Sequence, residues 1–226
     1  MHGNARENQI MNPDDMREAL RFYFITDDGV DGFAALDQVH VAIEAGATMI
    51  QYRNKSFSLE AFEEVKAIGR LCRDKRVPFV VNDDVLLARA VEADGIHVGQ
   101  EDALPRLARR VMGPRAIVGV SVSTMAELER TDLASCDYIG TGPTFRTGTK
   151  VDAKAAQGLA GLRDIVNRSP VPAVAIGGIG PANALDCFAH GAAGVAVISC
   201  ITRAADPVEA AAAMAAACGV SARGAW

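Results

Sequence analysis

Short apolar runs rich in β-branched residues alternate with longer stretches of Ala, Leu, Glu and Arg along most of the 226-residue chain. Eight of these runs predict strands, at residues 22–27, 48–53, 78–83, 95–99, 116–122, 138–142, 172–178 and 194–199. Several are nearly continuous in Ile, Val and Ala, as strands covered on both faces are. Between and after them lie helix candidates at 31–45, 58–75, 84–92, 104–111, 124–132, 159–167, 181–190 and 207–217. Gly46 follows the first of these as a C-cap. Ser58 opens the second as N-cap, with Glu60, Glu63 and Glu64 near its positive end. Ala61 at N3 leaves it without a capping box. Pro181 and Pro207 suit N1 positions. A further helix over 11–20 is predicted ahead of the first strand, capped by Asn12 with Pro13 at N1.

Strand and helix alternate in steps of roughly 28 residues, the pattern of parallel βαβ units. Right-handed crossovers close such units into a doubly wound sheet or a (β/α)8 TIM barrel. Eight units without a linker or composition break favour the barrel. A dinucleotide-binding sheet would want GxGxxG after its first strand, and Thr26-Asp27-Asp28-Gly29-Val30-Asp31 stands there instead. The expected organisation is one α/β barrel over 11–218, a short N-terminal helix included, with a loose segment over 1–10 and a tail over 219–226.

Composition narrows the function classes. Hydrophobic residues make up 50% and charged ones 23%, which excludes a disordered chain. With 23 basic and 28 acidic residues the net charge is −5, which argues against nucleic acid as the main partner. Residues 1–20 are mostly polar and carry no targeting signal, and the most apolar runs, 171–179 and 194–201, are too short to span a bilayer. Five widely spaced cysteines without CxxC suggest neither a disulfide framework nor a zinc knot, and a reducing cytoplasm is the expected location. A homo-oligomer is left open.

In a barrel, function gathers at the carboxyl ends of the strands. The second strand leads into Gln51-Tyr52-Arg53-Asn54-Lys55. If the strand runs that far, alternation puts Gln51, Arg53 and Lys55 on one face, and Ile50 and Tyr52 on the other, against helices. Two cations there suit a phosphorylated substrate, Arg53 binding bidentately and Lys55 as a point charge. A solvated strand end is the plainer alternative, and three polar residues at period two weigh against it. The third strand ends in Asn82-Asp83, and Asp102 follows the fourth. Neighbouring strands lie about 4.8 Å apart, so Asp83 and Asp102 suit a shared divalent cation such as Mg²⁺. Each also precedes a helix, where Asp is a good N-cap. Both roles stay open. His97, inside the fourth strand, is expected to be a satisfied interior histidine, and no Ser/His/Asp or Cys/His arrangement points to nucleophilic catalysis.

The segment 142–157 lacks periodicity and has the length of a lid or binding loop. It offers the hydroxyls of Thr147 and Thr149 and the charge of Lys150. Gly177-Gly178 ends the seventh strand and Ile198-Ser199 the eighth, with room for a short helix over 200–204. Loops at those two places often hold phosphate through backbone N–H groups.

The stretches IQYRNK (50–55), VNDD (81–84), DGIHVGQED (94–102), GVSVST (119–124), DYIGTGPTFRTGTK (137–150), VAIGGI (174–179) and GVAVISCI (194–201) together resemble the thiamine-phosphate synthase family. The resemblance covers most of residues 22–207. It implies a (β/α)8 transferase that joins a pyrimidine diphosphate to a thiazole phosphate with Mg²⁺ and releases pyrophosphate. It implies that Gln51, Arg53, Lys55 and Asn82 hold the diphosphate and that Asp83 and Asp102 bind Mg²⁺. Ser121 and Lys150 would contact the pyrimidine or the leaving pyrophosphate. Thr147 and Thr149 match the thiazole-phosphate loop, and Gly178, Ile198 and Ser199 its backbone site. Two positions depart: the family often has His at Ser123 and Arg at Asp84, where this chain reverses a charge near the expected metal.

That chemistry needs no protein nucleophile. The pyrimidine CH₂–O bond is expected to break early to a resonance-stabilised cation, Mg²⁺, Arg53, Lys55 and Lys150 would stabilise the departing charge, and the thiazole nitrogen would then attack. Two other functions fit a similar barrel. A thiazole tautomerase would leave Asp83, Asp102 and the Gln51/Arg53/Lys55 trio hard to explain, and a non-catalytic barrel would bind thiamine phosphate without turnover.

Overall fold

The computed structural model describes residues 11–147 and 155–222. The expectations for 1–10 and for the end of the tail lie outside the described residues. Helix α1 (Pro13–Leu20) comes first, with the Asn12 side chain accepting the N–H groups of Asp14 and Asp15 and Pro13 at its start. Strand and helix then alternate: β1 (Phe22–Ile25), α2 (Ala35–Ala45), β2 (Met49–Tyr52), α3 (Phe62–Asp74), β3 (Phe79–Asn82), α4 (Val85–Ala90), β4 (Gly95–Val98) and α5 (Pro105–Met112). The second half follows with β5 (Ile117–Ser121), α6 (Met125–Arg130), β6 (Tyr138–Thr141), α7 (Gly158–Arg168), β7 (Ala173–Ile176), α8 (Ala184–Ala189), β8 (Gly194–Val197), the short α9 (Ser199–Thr202) and α10 (Pro207–Cys218).

The eight strands form a closed barrel in sequence order. Every pairing is parallel, and β1 against β8 completes the ring. The chain is therefore a (β/α)8 barrel. Alternation along four- and five-residue strands splits the core in two. Phe22, Phe24, Ile50, Tyr52, Phe79 and Val81 pack outward under the helices. Tyr23, Met49, Val80, Ile117, Tyr138 and Val174 fill the barrel interior, and Met16 and Leu20 of α1 join that interior cluster from the amino-terminal end.

Several element ends differ from the periodicity. The strands are shorter than the apolar runs because their carboxyl-terminal residues turn away into loops. The helix predicted from Asp31 begins at Ala35. Ser58 caps only a 3₁₀ turn over Leu59–Ala61, and its hydroxyl makes no capping bond. Pro181 is not at a helix start. The Asn183 side chain accepts from Gly180 N–H and donates to the Gly178 carbonyl, at 2.9 and 3.0 Å, and this turn delays α8 to Ala184. Gly46 and Pro207 hold the expected cap positions, and Asp206 caps α10. The C-terminal tail begins at Gly219, the C-cap of α10.

Packing inside the barrel depends on one close approach. Gly119 of β5 lies opposite Tyr138 of β6, and a methyl group on Gly119 would overlap the phenol ring. Gly119→Ala is expected to cost about 1–3 kcal/mol of stability, as overpacked cores do. Urea unfolding measures this, and an unchanged midpoint would contradict the packing described here.

Candidate active site

A cavity of about 810 Å³ opens at the carboxyl ends of the strands. Arg53, Lys55, Asp83, Asp102 and Ser121 all line it, drawn from the ends of β2 to β5. Thr147, Gly178, Ile198 and Ser199 line the same cavity from the β6, β7 and β8 side. Nine predicted positions scattered over 147 residues of sequence thus meet at one rim. Gln51 and Asn82 do not line it. Gln51 is buried below, its amide donating to the Tyr23 hydroxyl at 2.6 Å. Asn82 is the last residue of β3 and follows Val80 onto the inward side. Thr149 and Lys150 lie outside the described residues.

The cations are aimed by β1. Strand β2 stops at Tyr52, so period-two alternation does not carry Lys55 to the mouth. The loop does so instead. Arg53 N–H donates to Thr26 Oγ1 at 2.9 Å, and that hydroxyl donates to the Arg53 carbonyl at 3.2 Å. Asp28 accepts the Lys55 backbone N–H at 2.8 Å and lies 3.9 Å from the Arg53 guanidinium. One carboxylate therefore orients both cationic residues.

The two acidic residues are not helix caps. Asp84, one residue later than the candidate, caps α4 by accepting Leu87 N–H at 2.8 Å. The departure at Asp84 is thereby explained: its charge serves a helix terminus and does not line the cavity. Leu104 occupies the cap position of α5, and Asp102 accepts Gly99 N–H at 2.7 Å within its own loop. Asp83 has φ of 63°, a left-handed conformation that Asp tolerates better than most residues and that recurs at functional sites. Its carboxyl meets that of Asp102 within hydrogen-bonding reach. Burial, then the hydrogen bond and the charge of Asp102, push the Asp83 carboxyl up to about 6, against the pull of Lys55 and Arg53. Two carboxyls in one oxygen-rich corner are a pair that a hard cation relieves.

The opposite rim is built for close backbone approach. Gly178 has φ of 65°, and a Cβ there would strike the Phe145 and Arg146 backbone of the loop after β6. That loop is stitched to β7 by Thr144 N–H to Ile176 O at 2.8 Å and Phe145 N–H to Gly177 O at 3.0 Å. Ile198 and Ser199 stand at the start of α9. The short helix after β8 is present, one residue earlier than the spacing placed it.

Other lining residues were not singled out from the sequence. Asp27, Asp28 and Gly29 line the cavity after β1, and Gln100, Glu127 and Arg203 line it elsewhere. The run Thr26-Asp27-Asp28-Gly29, polar at a strand's carboxyl end, was the available signal. Ser123 lines the cavity too, and its N–H donates to the buried Glu127 at 2.7 Å. Asp27 is 6% exposed and holds the Arg203 guanidinium at 2.9 Å. Burial alone would raise its pKa. The Arg203 hydrogen bond, Gly29 N–H, the Arg203 charge and the Thr202 hydroxyl outweigh burial and leave the carboxyl below its ordinary value.

Fold and site define a (β/α)8-barrel enzyme whose charged groups converge on the carboxyl-terminal mouth. Residues 22–201 match the model of thiamine monophosphate synthase. The thiamine-phosphate synthase of Moorella thermoacetica is 45% identical over 181 residues, covering 80% of this chain and 86% of that one. That of Chlorobium phaeobacteroides is 44% identical over 173 residues, covering 76% and 84%. Among solved structures, thiamine phosphate pyrophosphorylase from Pyrococcus furiosus superposes with a TM-score of 0.81 at 35% identity, covering 90% of this chain and 98% of that one. The chain belongs to the thiamine monophosphate synthase family.

The Asp27–Arg203 pair has a pH signature. A carboxyl whose pKa is lowered by folding stabilises the fold above its unfolded pKa, and this is lost as pH falls through the lower folded value. Asp27→Asn is therefore expected to lower the melting temperature at pH 7. The gap to wild type should hold down to about pH 4 and close below it. A gap that persists undiminished at pH 2 would count against the pair.

Proposed function

We propose that this chain forms thiamine phosphate by joining 4-amino-2-methyl-5-hydroxymethylpyrimidine diphosphate to 4-methyl-5-(2-phosphoethyl)thiazole, with release of pyrophosphate. Family membership supports the reaction class. The observation that carries the assignment to this site is the meeting of Asp83 and Asp102 in one cavity with Arg53 and Lys55.

The CH₂–O bond of the pyrimidine diphosphate breaks, and its electron pair leaves with pyrophosphate. The thiazole nitrogen then donates its lone pair to the methylene carbon and forms the C–N bond. Charge develops on the leaving group, so catalysis requires cations already fixed where that charge appears. Thr26 and Asp28 hold the backbone at Arg53 and Lys55, and Asp28 lies 3.9 Å from the Arg53 guanidinium, so both cationic residues start from the cavity wall. Ser121 and Lys150 contact the pyrimidine or its pyrophosphate. Thr147, Thr149, Gly178, Ile198 and Ser199 take the thiazole phosphate. Asn82, next to Asp83 at the end of β3, and Gln51, which acts from below the cavity through Tyr23, support the pyrimidine diphosphate.

Asp83 and Asp102 fit Mg²⁺. They give two hard oxygen donors, and no third His, Cys, Asp or Glu joins a metal-holding group with them among the described residues. Mg²⁺ characteristically takes one or two carboxylates and completes its shell with water and substrate phosphate. When bound, the ion supplies charge neutralisation on the diphosphate. Water would trap the cation, so turnover requires its exclusion from the cavity.

Purified protein with both substrates and Mg²⁺ is expected to yield thiamine phosphate and pyrophosphate in equal amounts, and no product at saturation would overturn the proposal. Asp83→Asn and Asp102→Asn are each expected to lower kcat about a hundredfold or more with circular dichroism unchanged. Near-normal turnover in either variant would remove the metal assignment.

A further inference from the structure

Beneath the cavity floor, five side chains form one line of hydrogen bonds across the barrel. The Gln51 amide donates to the Tyr23 hydroxyl at 2.6 Å. Tyr23 meets the Tyr138 hydroxyl at 2.8 Å, and Tyr138 meets His97 Nδ1 at 3.0 Å. His97 Nε2 meets Ser121 Oγ at 2.9 Å. Tyr23 and Tyr138 are 1% and 0% exposed, and His97 is 8% exposed. Of the five, Ser121 lines the cavity. The strands make room for the line: Gly119 clears the Tyr138 ring, and a Cβ on Gly140 would press on His97 Cε1 at 3.1 Å.

Counting protons gives the line a direction. The Tyr23 oxygen accepts from Gln51, and Tyr138 is the acceptor that the described residues offer its proton. Tyr138 then has its own proton for His97 Nδ1. A neutral imidazole that accepts at Nδ1 carries its proton on Nε2, where it is donated to Ser121 Oγ. Ser121, having accepted, turns its hydroxyl proton to the cavity. With the Gln51 amide oriented as the donor, the reverse direction would strand the Tyr23 proton in the barrel interior, a cost that buried polar groups in native proteins rarely bear. Burial pushes the phenol pKa values of Tyr23 and Tyr138 upward, so both keep their protons and the count holds.

We infer that His97 is a positioning residue, held by the Gln51–Tyr23–Tyr138 line as its neutral Nε2–H form, which fixes Ser121 as a hydrogen-bond donor to an acceptor atom of the pyrimidine diphosphate. This rests on the proposed reaction for the identity of the acceptor. It also gives Gln51 a role at a distance, since its amide is committed to Tyr23.

Long-range ¹H–¹⁵N NMR of the full-length labelled enzyme tests the inference without turnover, with His97→Gln identifying the His97 signals. The expected result is an Nε2–H imidazole in the wild type near pH 7.5, and in Tyr138→Phe a shift toward a mixture of tautomers. Tyr138→Phe should lower kcat roughly tenfold, the scale of one lost hydrogen bond, with KM for the thiazole phosphate unchanged. His97→Gln, whose amide can place a donor near the Nε2 position, should retain more kcat than His97→Leu at matched melting temperature. An Nδ1–H imidazole or an imidazolium in the wild type overturns the inference, as does equal kcat in Gln and Leu variants. Should Tyr138→Phe fail to fold, those two results decide. An Nε2–H signal in a protein that makes no thiamine phosphate would uphold the line and defeat the reaction instead.

Discussion

Two carboxyl groups pressed together in a partly buried corner are unfavourable as a free pair of anions, and the site is organised around that fact. The Asp83 carboxyl is pushed up to about 6 by burial and by Asp102, even with Lys55 and Arg53 pulling it down. Structural economy would separate these groups or use each as a cap. Here Asp84 and Leu104 occupy the cap positions, and Asp83 takes a left-handed backbone conformation. A divalent cation bound with an anionic phosphate, as proposed, would resolve the repulsion and use both cationic neighbours.

The barrel makes the convergence geometrically unavoidable. Closure in sequence order brings all eight carboxyl ends to one rim. The strands are four or five residues long, so they leave depth for only a few inward side chains each. Those layers are filled by bulky groups, with α1 packed at the amino-terminal end. Arg53, Asp83 and Asp102, placed just past strand ends, have no interior to enter and face the mouth. The Gln51–Ser121 line is the exception, a polar path through the packed layer that its own glycines accommodate.

Fold was legible because the strands are buried on both faces, so eight β-branched runs stood out between segments of helix-forming residues. Pro207 and Gly46 fixed two helix ends because a ring at N1 and a positive φ are local requirements. Pro181 misled because a local turn held by Asn183 outranked the proline's preference. At the site, Arg53 and Lys55 were found for a reason only half correct: the strand ends at Tyr52, and Asp28 places Lys55. The choice between cap and ligand for Asp83 was not decidable from spacing, since Asp83 and Asp84 are adjacent and either could start the helix. Arg203 was missed because its partner Asp27 is far away in sequence, and His97 gave no sign that both its ring nitrogens are engaged.

The most direct measurement is a crystal structure of the enzyme with Mg²⁺ and pyrophosphate. The expected result is one ion held by Asp83 and Asp102, with pyrophosphate within reach of that ion and of Arg53 and Lys55. Pyrophosphate bound away from these four residues, or an ion held by other groups while the two carboxyls still face each other unliganded, would contradict it.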